Sequence, residues 1–197
     1  MNEPSETMTL RDKASTRKAL RQMRDNLSPA ERNAAETQSL MLLSKWQTWG
    51  HARVIASYLP HQSEFNPSCL TRAASAQGAS IVYPRVTNEA LTFHHWQSGD
   101  ALEATIGAVN QPLANSPQVA LSDIDLFITP MLACGDNGIR LGYGGGYYDR
   151  VFAQARGFRL GVGFSLQRVD RWDTEPHDQK LWGFLSESRL ELFSPDH

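Results

Sequence analysis

Cysteine is nearly absent: two in 197 residues exclude a disulfide-stapled scaffold. Neither Cys69 nor Cys134 has the Cys or His spacing of a zinc site. No apolar run approaches the roughly 18 residues of a membrane-spanning helix. The opening Met1–Thr9 has no basic flank ahead of an apolar stretch, so no secretory signal is expected. A charge surplus is missing too. Nineteen Lys and Arg against 21 Asp and Glu leave a net charge of −2, which excludes a globally basic nucleic-acid binder but not a local basic patch. There is no internal repeat or low-complexity tract. What is present, 41% apolar and 20% charged residues, is ordinary globular composition, and the length suits one domain. The expectation is a cytoplasmic, monomeric protein that binds neither membrane nor nucleic acid.

Residues 1–9 are polar without periodicity and read as a flexible tail; residues 10–197 read as a single domain. Leu10 to Asn26 has helical spacing, with Leu20, Met23 and Leu27 as its buried stripe. Its six basic residues, among them Lys13, Arg17 and Arg24, read most plainly as a solvated face. Ser28-Pro29-Ala30-Glu31 signals a helix start: a capping hydroxyl, a proline at the first position and a glutamate closing the capping box. This second helix is expected to reach about Trp49, with Leu40, Leu43 and Trp46 inward, and to stop at Gly50.

The period then changes. Arg53–Leu59 is a short apolar run ended by Pro60, Pro67–Gln77 reads as a helix ended by Gly78, and Ser80–Tyr83 is a strand stopped by Pro84. Strand–helix–strand implies parallel pairing with a right-handed crossover. Leu91–Trp96 is a further strand, and residues 97–122 read as a long surface connection. Ile124–Thr129, Phe158–Phe164 and Trp182–Leu185 complete the set. The predicted fold is α/β: a single three-layer domain with a central, mostly parallel sheet of five to six strands flanked by helices.

The segment from Arg140 to Arg150 carries the chemistry. Four of the five residues at 142 and 144–146 plus the intervening Tyr143 are glycine, an entropic cost that implies exposed backbone or unusual φ/ψ. A glycine-rich turn before a helix directs several N–H groups at one point where an anion is favoured, and Arg140 adds a planar charged fork suited to phosphate. Glycines alone would equally suit a tightly packed loop; Arg140, the tyrosines and Asp149 favour the anion site. The Walker ending is absent, because Tyr147 follows Gly146, and the glycines do not fill the turn directly after a strand. Asp149, in the first turn of the next helix, fits either a dipole partner, worth about 0.3–1 kcal/mol, or a ligand to a divalent cation. Asp178, in Pro176-His177-Asp178, is by itself a surface loop residue.

The run Arg140-Leu-Gly-Tyr-Gly-Gly-Gly-Tyr-Tyr-Asp149-Arg150 resembles the signature of the 5-formyltetrahydrofolate cyclo-ligase family. Lys13-x-x-x-Arg17, the Leu-Ser-Pro-Ala-Glu-Arg segment at 27–32, Tyr58 to Glu64, Tyr83-Pro84-Arg85, Ile124 to Pro130, Gly161 to Phe164, Gln167 and His177-Asp178 resemble its other segments in order. The resemblance covers roughly residues 10 to 187. It implies ATP-dependent conversion of 5-formyltetrahydrofolate to 5,10-methenyltetrahydrofolate, with ATP and the folate as small-molecule partners and Mg2+ as cofactor. By the same resemblance Lys13, Arg17, Arg140, Leu141, Gly142, Tyr143, Gly144, Gly145, Gly146, Tyr147 and Tyr148 bind ATP. Leu59, Glu64, Tyr143, Gly144, Gly145, Gly146 and Tyr147 border the folate, Arg140 and Tyr147 are catalytic, and Asp149 and Asp178 hold the metal. Two departures stand out. Ala133-Cys134-Gly135 replaces Ala-Phe-Asp, which makes Cys134 a candidate accessible thiol, and an aromatic residue is lacking around Val109.

Two other classes compete with this reading. A sugar-phosphate isomerase or coenzyme A transferase relative would share the architecture without using ATP. A folate- or ATP-binding regulatory module would keep the pocket without turnover. Nucleotide binding separates the first from a cyclo-ligase, and an assay separates the second.

Overall fold

Alternation along the buried strands decides the layering. In the computed structural model, which describes residues 13–88, 90–105, 108–170, 175 and 178–193, Leu126 and Ile128 pack into one apolar cluster and Phe127 into another. Ile55 and Ala56 divide in the same way, as do Leu185 and Phe184. Successive side chains of a strand point to opposite faces, so the two clusters lie on opposite sides of one sheet. The expected tail at residues 1–9, the first residues of the basic helix, Gly107 and Pro176-His177 lie outside the described residues.

The elements follow in chain order. Helices α1 (Lys13–Asp25), α2 (Pro29–Leu43) and α3 (Gln47–His51) precede strand β1 (Val54–Ala56), helix α4 (Ser68–Ala76) and strands β2 (Ser80–Thr87) and β3 (Ala90–His95). Short strands β4 (Leu102–Ala104), β5 (Asn110–Pro112) and β6 (Gln118–Val119) lead to β7 (Leu126–Thr129). Then come β8 (Ala133–Cys134), β9 (Arg140–Leu141), helix α5 (Tyr147–Phe152), β10 (Phe158–Val162), β11 (Gly183–Leu185) and β12 (Leu190–Leu192). Helices α2, α3 and α4 cover one face through Ala35, Leu43, Trp49 and Leu70. Helix α5 covers the other through Val151 and Phe152. Helix α1 stands apart, its Leu20 clustered with Ala133 and Leu141 of the β8–β9 ribbon.

The sheet has eight strands, in the order β12-β11-β10-β7-β1-β2-β3-β6, rather than the expected five to six. The two unforeseen strands, β6 and β12, span two and three residues at the edges, too short to show a period. The five strands from β11 to β2 pair in parallel; β3, β6 and β12 are added at the edges by antiparallel pairing. The parallel strands run in the order β2-β1-β7-β10-β11, so the direction of winding reverses between β1 and β7. Ligands of open α/β sheets bind beyond the carboxyl ends of the strands at such a reversal.

Other boundaries differ for identifiable reasons. Pro84 does not stop β2, which continues to Thr87. The Val82 carbonyl accepts from Ser57 N–H on the β1 flank, and two residues on, the Pro84 nitrogen faces that same flank past the end of β1, where no donor is needed. Ser28 caps α2 with the full capping box, but α2 ends at Leu43, and Gly50 lies inside the separate α3. The span 97–122 holds the β4–β5 ribbon and β6 rather than bare connection. On α1, Met23 is 44% exposed while Arg24 is 1% exposed, so the stripe is Thr16, Leu20 and Arg24. Arg24 is therefore not part of the solvated face; Lys18 and Arg21 are.

Candidate functional site

A cavity of about 820 Å3 opens beyond the carboxyl ends of β1 and β7, at the reversal in strand order. Tyr58, Leu59 and Glu64 reach it from the segment after β1, Pro130 from the end of β7, and Lys13 and Arg17 from α1. The whole run Arg140, Leu141, Gly142, Tyr143, Gly144, Gly145, Gly146, Tyr147, Tyr148 and Asp149 lines it, and Asp178 closes one side. Every residue that the resemblance assigns to ATP, folate or the metal thus faces one space. A second cavity of about 830 Å3 on the other side of Tyr58 and Leu59 includes no other residue of that set.

The glycine run is pinned at both ends. Pairing of β9 with β8 fixes Arg140 and Leu141, and Gly146, at φ +63°, forms the N-cap of α5. That left-handed turn is unfavourable for side chains with a Cβ. At Gly142 a Cβ would stand 2.5 Å from Arg140 Nη1, so any side chain there would displace that guanidinium. Arg17 Nε donates to the Gly142 carbonyl at 2.9 Å, tying α1 to the loop. Helix α5 spans only six residues, Tyr147–Phe152, so its dipole is weak.

Charged groups here are mostly paired. Arg140 lies 7% exposed, with Nη2 3.2 Å from Asp149 Oδ2 and its guanidinium 5.4 Å from the centre of the Tyr148 ring. Asp149 Oδ1 also accepts the Gln179 N–H at 3.2 Å. Among the described residues the buried Arg140 Nε and the Tyr148 hydroxyl have no hydrogen-bond partner. Burial holds the Tyr148 phenol well above its ordinary range, with Glu64 adding to the effect and Arg140 opposing it. Lys13 Nζ stands 2.9 Å from Asp178 Oδ2 and 2.7 Å from Glu175 Oε2. Burial alone would lower this ammonium, but the two carboxylates together hold it above its usual value. Tyr143 is pushed up, first by burial of its hydroxyl and then by Glu64, against the nearby Arg24.

Cys134 is not an accessible thiol. It is fully buried within β8, and burial pushes it up to about 12. Val109 does line the cavity, 38% exposed. Sequence reasoning missed the far wall, formed by Val86 and Leu91 of β2–β3 and by Glu103, Thr105, Asn110 and Gln111 of the β4–β5 ribbon. It also missed Glu175 and Arg24. Only Glu175 had a signal, its place three residues from Asp178.

The chain matches the family model described as the 5-formyltetrahydrofolate cyclo-ligase family over residues 9–186. It is 28% identical over 189 residues to a 5-formyltetrahydrofolate cyclo-ligase of Haemophilus influenzae, covering 90% of this chain and 99% of that protein. It is also 28% identical over 190 residues to one from Mycolicibacterium smegmatis, covering 92% and 97% respectively. The solved structure of Aquifex aeolicus 5,10-methenyltetrahydrofolate synthetase superimposes with a TM-score of 0.80 at 23% identity, covering 94% of each chain.

Proposed function

This chain belongs to the 5-formyltetrahydrofolate cyclo-ligase family and is an enzyme, and on that premise we propose that it uses ATP to close 5-formyltetrahydrofolate to 5,10-methenyltetrahydrofolate, releasing ADP and phosphate. A formamide is a weak electrophile with a poor leaving oxygen. Transfer of the γ-phosphoryl group to that oxygen gives an iminium phosphate; the N10 lone pair then attacks the formyl carbon, N10 gives up its proton, and phosphate departs with the C–O bond electrons and takes up that proton. The protein's part is alignment and charge neutralisation, as in phosphoryl transfer generally.

The observation that supports this most directly is the convergence on one cavity of the glycine run, three cationic side chains and the Leu59–Glu64 segment. In this reading the backbone N–H groups of residues 142–146 receive the triphosphate, with Lys13, Arg17 and Arg140 neutralising it. Arg140 is already oriented by Asp149 and Tyr148, so little reorganisation accompanies charge development. Tyr147 borders the formyl oxygen. Glu64, whose Oε2 accepts the His61 N–H at 2.9 Å, offers its remaining acceptor sites to the donor edge of the pterin, and Leu59 gives an apolar wall.

Magnesium fits the donor set. Among the described residues no group of three or more His, Cys, Asp or Glu side chains forms a metal cluster. Asp149 and Asp178 nevertheless offer two carboxylates beside the phosphate-binding loop, and Mg2+ is commonly held by one or two carboxylates plus phosphate oxygens and water. Such an ion would neutralise charge on the transferring phosphate. Lys13 and Arg140 balance those carboxylates in the unliganded protein. The test is absorbance of the methenyl product with and without ATP and magnesium. ATP-dependent product is expected; none would overturn the reading.

A further inference from the structure

One guanidinium of α1 is buried without an evident reason in the sequence. Arg24 is 1% exposed, whereas Arg21, Gln22, Met23 and Asp25 around it are exposed. Burying a charge is costly unless its donors are engaged. Arg24 Nε donates to Ser63 Oγ at 3.0 Å, and Nη1 donates to the Tyr143 hydroxyl at 2.9 Å. The Ser63 hydroxyl in turn donates to Asp25 Oδ1. Both direct partners of the guanidinium are neutral hydroxyls, so its orientation is set by two side chains from two different walls.

Those walls belong to the cavity, although Arg24 itself does not line it. Ser63 directly precedes Glu64, and Tyr143 lies within the glycine run with its hydroxyl facing Glu64. One fork therefore clamps α1, the Glu64 segment and the glycine run together. The phosphate-facing groups Lys13, Arg17 and Arg140 are anchored elsewhere, on Asp178 and Glu175, on the Gly142 carbonyl and on Asp149.

We propose that Arg24 is a positioning residue that sets the pterin-facing wall of the cavity by holding Tyr143 and, through Ser63, Glu64. The inference rests on the function proposed above. Without the fork, Tyr143 loses its donor and the Glu64 segment keeps only the Ser63–Asp25 hydrogen bond to α1, while the phosphate end keeps its own anchors.

The test uses Arg24→Met, which keeps an apolar stem, Tyr143→Phe, which removes only the hydroxyl, and the double variant. Two measurements are made: KM for each substrate, and amide hydrogen exchange of residues 58–65 and 141–148 without ligands. Arg24→Met is expected to raise the folate KM about tenfold and leave the ATP KM within about twofold. Tyr143→Phe should move the same constant in the same direction. The double variant should be no worse than Arg24→Met, because both remove one shared link. Equal rises in both KM values, or fully additive effects, would make Arg24 a general structural residue and overturn the proposal. Should Arg24→Met not fold, Tyr143→Phe decides alone, and an unchanged folate KM overturns it. A wild-type protein without ATP-dependent turnover would instead refute the function. Hydrogen exchange would still decide the positioning role, since wild-type exchange of both segments in Arg24→Met would remove it.

Discussion

Replacing Asp149 by asparagine keeps the side-chain shape and removes its charge. From the sequence the bland cost is a lost dipole partner, about 0.3–1 kcal/mol, with stability otherwise unchanged or improved if the carboxylate waits for a metal. The structure implies a larger loss. Asp149 Oδ2 stands 3.2 Å from Arg140 Nη2, and the two side chains are only 16% and 6% exposed. Arg140 Nε has no partner, so this carboxylate carries much of what satisfies a buried guanidinium. An amide oxygen can still accept from Arg140 or from the Gln179 N–H, but the excess of a charged bond over a neutral one, about 1–1.5 kcal/mol, is lost. At about 2–4 °C per kcal/mol for a chain of this size, Tm should fall by roughly 2–6 °C. If Asp149 also holds magnesium, turnover at saturating substrates should fall about 100-fold or more. The decisive measurement is the extra melting shift of magnesium-ATP over ATP with a chelator. Ligand stabilisation follows RT ln(1 + [L]/Kd), so a tenfold weaker complex loses about 1.4 kcal/mol of it. A folded variant with near-normal turnover and the full magnesium-dependent shift would remove Asp149 from the metal site, and the case for Asp178 would go with it.

Glu64→Gln should raise the folate KM about tenfold or more while leaving the ATP KM nearly unchanged, because a charge-assisted acceptor becomes a neutral one; equal effects on both would assign Glu64 to the fold instead. Gly138→Ala should destabilise by more than about 2 kcal/mol in urea unfolding, since φ is +78° there and a Cβ would stand 2.3 Å from the Leu181 carbonyl oxygen; a change under about 0.5 kcal/mol would contradict that packing. Cys134, pushed up to about 12 by burial, should stay protonated and resist alkylation in native protein between pH 7 and 9, reacting only at the rate of unfolding; rapid native labelling would refute its burial.

The parallel strands were legible because strands buried on both faces read as continuous apolar runs, as at Ile124–Thr129. What escaped was set by partners rather than by pattern. The strands β6 and β12 exist because a neighbour's edge is available, and two or three residues carry no period of their own. Pro84 was read as a stop by its missing N–H, yet only the neighbouring strand's length decides whether that N–H would have been used. The stripe of α1 was misread by residue type. Thr16, Leu20 and Arg24 repeat every four residues, but two of the three are polar, and an apolar-period search passes to Met23 instead.

The same distinction divides the site. The end proposed to receive phosphate is contiguous: one run from Arg140 to Asp149 lines it, so its composition betrays it even before any family likeness is considered. The opposite wall is assembled from Leu59 and Glu64, from Val86 and Leu91, and from Glu103, Thr105, Asn110 and Gln111, which meet because β2 lies beside β1 and β5 of the β4–β5 ribbon packs against β2. No local window contains that wall, and no residue in 97–122 is unusual enough to flag it. Arg24 belongs to the second kind, since its partners Ser63 and Tyr143 lie 39 and 119 residues away in sequence. Chemistry that needs many backbone donors at one point concentrates its residues in sequence. Shape recognition of an extended substrate draws on several elements, and it becomes readable only once the sheet has placed them.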